Sequence, residues 1–176
     1  MRGNAMAIQT FILPGEATRR EYAIYAVIAI PRKKGKVLVH TGNTGDFKRN
    51  SNPLVCWAGN HFSYNVIHNH KTIKITESTD QYDYTFLWSV YEAWKDDDKG
   101  RERVELLNEM ERELNRQLQE LLKNSKKAEL TNPHLGTGNI NKSERIRREG
   151  FHNKKRVDQV IELASVVMDA VKKVAG

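Results

Sequence analysis

The sequence predicts an α+β fold, a small antiparallel sheet flanked by helices with a C-terminal helical extension. Three observations predict it. Two short apolar runs, Tyr22 to Ile30 and Val37 to His40, are separated by a basic turn, which is the pattern of a hairpin. Tyr82, Tyr84, Phe86 and Trp88 alternate with Asp83, Thr85 and Leu87, which makes a strand with one aromatic face. Arg101 to Asn124, and the segment from Lys155 onward, repeat apolar residues at helical spacing.

The elements follow in order. Residues 1–21 form an N-terminal arm with a turn at Pro14-Gly15. Its apolar stretch from Ala5 to Leu13 is broken by Gln9 and Thr10, so it reads as a strand or an ordered arm and not as a signal segment. Tyr22 to Ile30 is apolar on both faces, as a buried central strand must be. Pro31 ends it, Arg32 to Lys36 turns, and Val37 to His40 returns. Gly42, Asn43, Gly45, Asp46, Asn50 and Ser51 are loop residues, and Asn52 caps a helix that opens on Pro53. Drawn to His70, that helix has one apolar stripe of Leu54, Val55, Ala58, Phe62 and Val66. Trp57, His61, Tyr64 and His68 fall together on its other side. Asp96 to Gly100 is a polar turn without the alternating ligands of a calcium loop. The helix from Arg101 carries Val104, Leu107, Met110, Leu114, Leu118 and Leu121. The last helix carries Val157, Val160, Ile161, Ala164, Val167, Met168 and Val171.

The chain has 176 residues, enough for one domain. Its expected layout is the arm at 1–21, a domain over 22–124, and a basic loop with the C-terminal helix over 125–176 packed on that same domain. The formal net charge is +7, which favours a polyanionic partner. The single cysteine, Cys56, excludes an intramolecular disulfide and fits a reducing, cytoplasmic setting. No apolar run nears the ~20 residues that span a bilayer, so no membrane partner is expected.

Three groups of side chains could carry chemistry. On a helical wheel, Glu105, Glu109, Glu113 and Glu120 project away from the apolar stripe, and Glu111 alone lies within it. A carboxylate aimed at a core needs a partner, either an Arg or Lys or a metal ion. A lone carboxylate suits Mg²⁺, which keeps most of its waters. The six histidines show no Cys/His spacing for zinc. His61 and His68, with Trp57 and Tyr64, form either a contact surface or a wall facing substrate. Arg145, Arg147, Arg148, Lys154, Lys155 and Arg156 crowd the start of the last helix. They are either a solvated face or, with Arg32, Lys33 and Lys34 of the hairpin turn, a surface that follows a phosphate backbone.

The order of these parts resembles the GIY-YIG nuclease superfamily. Ala23-Ile24-Tyr25 stands at the first signature triplet and His40-Thr41-Gly42 at the second. Thr44-Gly45-Asp46 through Asn60-His61-Phe62-Ser63-Tyr64-Asn65 looks like the region that follows in a bacterial branch of these nucleases. Glu111, in Glu-Arg-Glu-Leu, matches the metal ligand. Ala23 replaces a Gly, His40 a Tyr and Thr41 an aliphatic residue. Trp57 stands where the family has a phosphate-binding Arg, and Arg49 lies just upstream. The resemblance implies a GIY-YIG-like domain and a Mg²⁺-dependent (or Mn²⁺-dependent) endonuclease acting on DNA ahead of RNA, of a restriction- or phage-related kind. In it Tyr25 orients or deprotonates water and His40 assists. Glu111 binds the metal, and Arg49 and His61 contact the scissile phosphate. The alternative is a catalytically weakened module that binds nucleic acid or a protein. Either reading admits a homodimer.

Overall fold

The computed structural model describes residues 11–44, 52–57, 81–133 and 154–175. A four-stranded sheet with two long helices on one face forms an α+β unit. The strands are β1 (Glu21–Pro31), β2 (Val37–Asn43), β3 (Tyr82–Ala93) and β4 (Ala128–Leu130). The helices are α1 (Pro53–Trp57), α2 (Gly100–Leu122) and α3 (Lys154–Ala175). Sheet order is β3-β1-β2-β4.

β1 lies in the interior of the sheet because it has no polar face to give to water. Every residue from Tyr22 to Ala29 is buried. It pairs antiparallel with β2, setting Tyr25 against Gly42 and Val27 against His40. It pairs antiparallel with β3, setting Tyr25 against Trp88 and Val27 against Phe86. A register shift between Tyr22 and Ala23 leaves Tyr91 as the extra residue on β3.

Ile24, Ala26, Ile28, Val37 and Val39 point to the helix face of the sheet. Leu107, Met110, Leu114, Leu118 and Leu122 of α2 cover them, along with Val160, Leu163, Ala164, Val167 and Val171 of α3. The C-terminal helix is thus part of the same core. Tyr25, Val27, Ala29, Leu38 and Tyr82 build a second cluster on the opposite, aromatic face. Cys56 of α1 and the half-buried Tyr84, Phe86 and Trp88 pack against it. Asn52 caps α1 as the sequence predicts, its Oδ1 accepting the Val55 N–H at 2.8 Å.

Three expectations change. The sheet is mixed, not antiparallel, because β4 runs parallel to β2. β4 has three residues, too few to show a two-residue period, and it enters beside the start of β2 because α2 delivers it there. β2 continues through Gly42 and Asn43, which the sequence reading left in a loop. Glu109 does not project into solvent. It is 4% exposed, and its Oε1 accepts from Arg112 Nη1 at 2.6 Å. A wheel registers one packing partner, and α2 is enclosed on more than its sheet-facing stripe. The helix drawn from Pro53 to His70 is described only to Trp57, and the stripe of His61, Tyr64 and His68 lies outside the described residues.

Polar bonds set the register between α2 and the sheet. Asn115 is fully buried, and its Nδ2 donates to Thr41 Oγ1 at 2.9 Å and to the Asn132 carbonyl at 2.7 Å. The Asn132 carboxamide extends the ladder past β4. It accepts from the Thr41 N–H at 3.1 Å and donates to the Thr41 carbonyl at 2.9 Å. At the other end of α2, Arg103 Nε bonds Glu92 at 2.8 Å, and its Nη1 and Nη2 bond Asp97 at 2.5 and 2.9 Å. Its guanidinium also lies over the Tyr22 ring.

Asn115→Ala should cost about 1–3 kcal/mol, because it strands buried acceptors, and chemical denaturation will measure it. The Arg103 guanidinium holds the Asp97 carboxyl down from its ordinary 3.8 to about 2. A depressed carboxylate stabilises the fold fully above its unfolded value and loses that effect as pH falls toward its folded value. Stability followed from pH 5 to pH 2 should therefore fall in the wild type and fall less steeply in Asp97→Asn. An equal slope in the two proteins would show that this ion pair is not formed.

Candidate active site

The end of the hairpin where β1 begins and β2 finishes brings Tyr25, Gly42 and Asn43 together. Tyr25 and Gly42 face each other across the ladder. A Cβ on Gly42 would lie 2.7 Å from Tyr25 Cε2, and closer still to Cζ and the hydroxyl oxygen. The ring therefore rests directly on the β2 backbone. Glycine is needed here for the space it leaves, because any larger side chain would displace the ring.

Tyr25 is 3% exposed, and its ring meets Phe86 with centroids 5.3 Å apart. Burial pushes the phenol well above its ordinary range, and the charges of Cys56 and then Glu111 push it the same way. The phenol stays protonated at any working pH. Cys56 of α1 and Glu111 of α2 thus flank the same hydroxyl electrostatically, although α1 and α2 pack on opposite faces of the sheet. β4 and Asn132 accompany β2 only as far as Thr41.

Glu111 is partly buried and is held by Asn43, whose Nδ2 donates both to Asn108 Oδ1 at 3.0 Å and to Glu111 Oε2. Burial raises the Glu111 pKa, and the Asn43 bond and the nearby Arg112 charge oppose that rise. Glu111 forms no ion pair among the described residues, since Arg112 bonds Glu109 instead. Among the described residues, Arg112 is the cation whose charge acts on Glu111.

His40 is 7% exposed and stands on the aromatic face, two residues along from Gly42. Its Nδ1 is 2.9 Å from Thr131 Oγ1, so the ring orientation is set by the residue just past β4. Thr44 closes the hairpin beside these groups. Its Oγ1 accepts from the Ala23 N–H at 2.9 Å and donates to the Glu21 carbonyl at 2.5 Å.

The structure thus brings Tyr25, Gly42 and Glu111 to one end of the hairpin, with His40 beside them. Arg49, His61, Arg145, Arg147 and Arg148 lie outside the described residues, as does the Lys154 side chain. Arg32 is exposed and bonds Asp83 through Nε and Nη2 at 3.0 and 2.8 Å. Lys33 and Lys34 are exposed in the hairpin turn at the far end of β1, and Lys155 is exposed on α3. Arg156 donates to the Tyr91 hydroxyl at 3.2 Å and lies over that ring.

Sequence reasoning missed Asn43, Asn108 and Cys56. Asn108, Glu111 and Asn115 recur at i, i+3 and i+7, a polar line beside the apolar stripe that the wheel could have revealed. Asn43 was hidden by ending β2 too early, and nothing in the sequence pairs Cys56 with Tyr25.

An ion held by Glu111 would meet one carboxylate and neutral amides. Among the described residues, no three His, Cys, Asp or Glu side chains converge as a ligand set. Hard oxygen donors in small number suit Mg²⁺, which retains its waters. Glu111 Oε1 takes no hydrogen bond from any described residue. The donor set fits a hydrated Mg²⁺.

Searches against protein-family models, curated proteins and solved structures return no match for this chain. No helix among the described residues is long and apolar enough to cross a membrane.

Gly42→Ala should destabilise the protein by about 1–3 kcal/mol through overpacking against the Tyr25 ring. Combined with Tyr25→Ala, the loss should be smaller than the sum of the single losses, since the ring that clashes is gone. Strict additivity in this double-mutant cycle would refute the contact.

Proposed function

We propose that this chain is a Mg²⁺-dependent endonuclease of GIY-YIG type that hydrolyses phosphodiester bonds in DNA. The observation that carries the reading is the Tyr25 phenol resting on Gly42 within reach of the Glu111 charge. These are the residues that the family resemblance marks as water-orienting Tyr, signature Gly and metal ligand. The basic balance of the chain supports a polyanionic substrate.

Each residue then has a physical task. The metal ion, when bound, neutralises phosphate charge and makes a coordinated water more acidic. Glu111 would hold it, with Asn43 fixing the carboxylate by its bond to Oε2. Burial raises the Tyr25 phenol above its ordinary range. It orients the attacking water as a hydrogen-bonding partner, with Gly42 giving it room. His40, oriented by Thr131, supplies an imidazole on the same face, the side chain suited to moving a proton near neutral pH. Arg49 and His61 are proposed as phosphate contacts on the resemblance alone.

One observation favours the weakened binding module. Tyr25 and His40 are almost wholly enclosed, and a substrate must reach them. Plasmid cleavage with Mg²⁺ or Mn²⁺ separates the two readings. Glu111→Ala should lower the cleavage rate at least ~10²-fold and leave DNA affinity nearly unchanged, because Lys and Arg contacts to phosphate dominate binding. Tyr25→Phe should reduce the rate without removing a basic limb from its pH profile. A wild type that binds DNA without cutting it, while His40→Tyr combined with Trp57→Arg cuts, would make the natural protein the weakened module.

A further inference from the structure

The end of the sheet opposite Tyr25 gathers charge from two loops that are far apart in sequence. The β1–β2 turn contributes Arg32, Lys33, Lys34 and Lys36, all exposed. The loop between α2 and β4 contributes Lys123, Lys126 and Lys127, also exposed. Backbone pairing clamps the two loops together. The Val37 N–H donates to the Lys127 carbonyl at 2.9 Å, and Val37 stands opposite Ala128 in the parallel ladder. Neighbouring strands lie about 5 Å apart, so the lysines on either side form one surface.

Three carboxylates temper this charge. Asp83 bonds Arg32, Glu129 bonds Lys36 at 3.2 Å, and Glu120 lies 3.9 Å from Lys123. Among the described residues, these seven cations are paired with three carboxylates. Lys33, Lys34 and Lys126 pair with no carboxylate among the described residues.

We propose that these two loops form a docking surface for the phosphate backbone of duplex DNA, remote from the candidate active site. The proposal rests on the nuclease reading for its partner and adds where and how that partner is held. Arg32 to Lys36 and Lys123 to Lys127 contain no aromatic or aliphatic side chain besides their Lys and Arg stems. They have nothing to stack on an unpaired base and nothing to insert into a bilayer. Their contacts are to phosphates, which carry register and affinity but no sequence. Six residue steps of β1 separate Tyr25 from Pro31, or ~20 Å along the strand. At ~3.4 Å per base pair the surface meets the duplex about six base pairs from the phosphate at Tyr25.

Fluorescence anisotropy over a salt series on a 30-base-pair duplex tests it. Lys33→Gln with Lys34→Gln, and separately Lys126→Gln with Lys127→Gln, should each weaken binding about tenfold or more at low salt. Each pair should also reduce the slope of log affinity against log salt by one to two. The matching Lys→Arg pairs keep the charge and should keep the slope. A wild type that binds the duplex while both Gln pairs keep its slope overturns this docking surface and spares the nuclease reading. A wild type that binds no DNA overturns both. Tighter binding to phosphatidylserine vesicles, lost in the Gln pairs, would reassign the surface to a membrane and overturn the proposal.

Discussion

β1 has no face that water can wet, and the rest of the fold answers that constraint. Tyr22 to Ala29 must be covered above, below and on both edges. β2 and β3 take the edges and satisfy its backbone groups. α2 and α3 take one face with aliphatic side chains at helical spacing. The other face receives the aromatic rings of β3 and Cys56 of α1. Tyr25 sits in that second layer, so its desolvation is a consequence of β1 being central.

Apolar packing holds α2 on the sheet without choosing its register, since Leu107, Leu114 and Leu118 could slide by a turn against a smooth surface. The polar line at Asn108, Glu111 and Asn115 removes that freedom. Buried amides must find partners or cost several kcal/mol. Asn115 finds Thr41 and the Asn132 carbonyl, and Asn108 finds Asn43. These bonds place Glu111 beside Asn43 at the strand end, where its charge reaches Tyr25. The same residues that complete the core thus position the candidate site.

The two ends of the sheet divide the proposed work. At one end a protonated phenol, a carboxylate and an imidazole gather around the close of the hairpin. At the other, two lysine loops are clamped by the parallel pairing of β2 with β4. Strands are stiff, so a duplex touching both ends would be aligned along a fixed length of protein. The short β4 matters for this reason, because its three residues join the second lysine loop to the first.

Periodicity in the sequence determined the central β1 strand, the aromatic face of β3, the two long helices and the Asn52 cap. Each of these follows from local patterns of apolar and polar residues, which the chain displays along its length. Tertiary structure alone decided the rest. The parallel pairing of β4 is invisible in three residues, and the burial of Glu109 reflects enclosure that no wheel contains. The seat of the Tyr25 ring on Gly42 depends on hairpin register, and the link from Glu111 through Asn43 depends on α2 register. The union of the two lysine loops joins residues about ninety positions apart. Such contacts arise from which surfaces meet, and one-dimensional spacing holds no record of that.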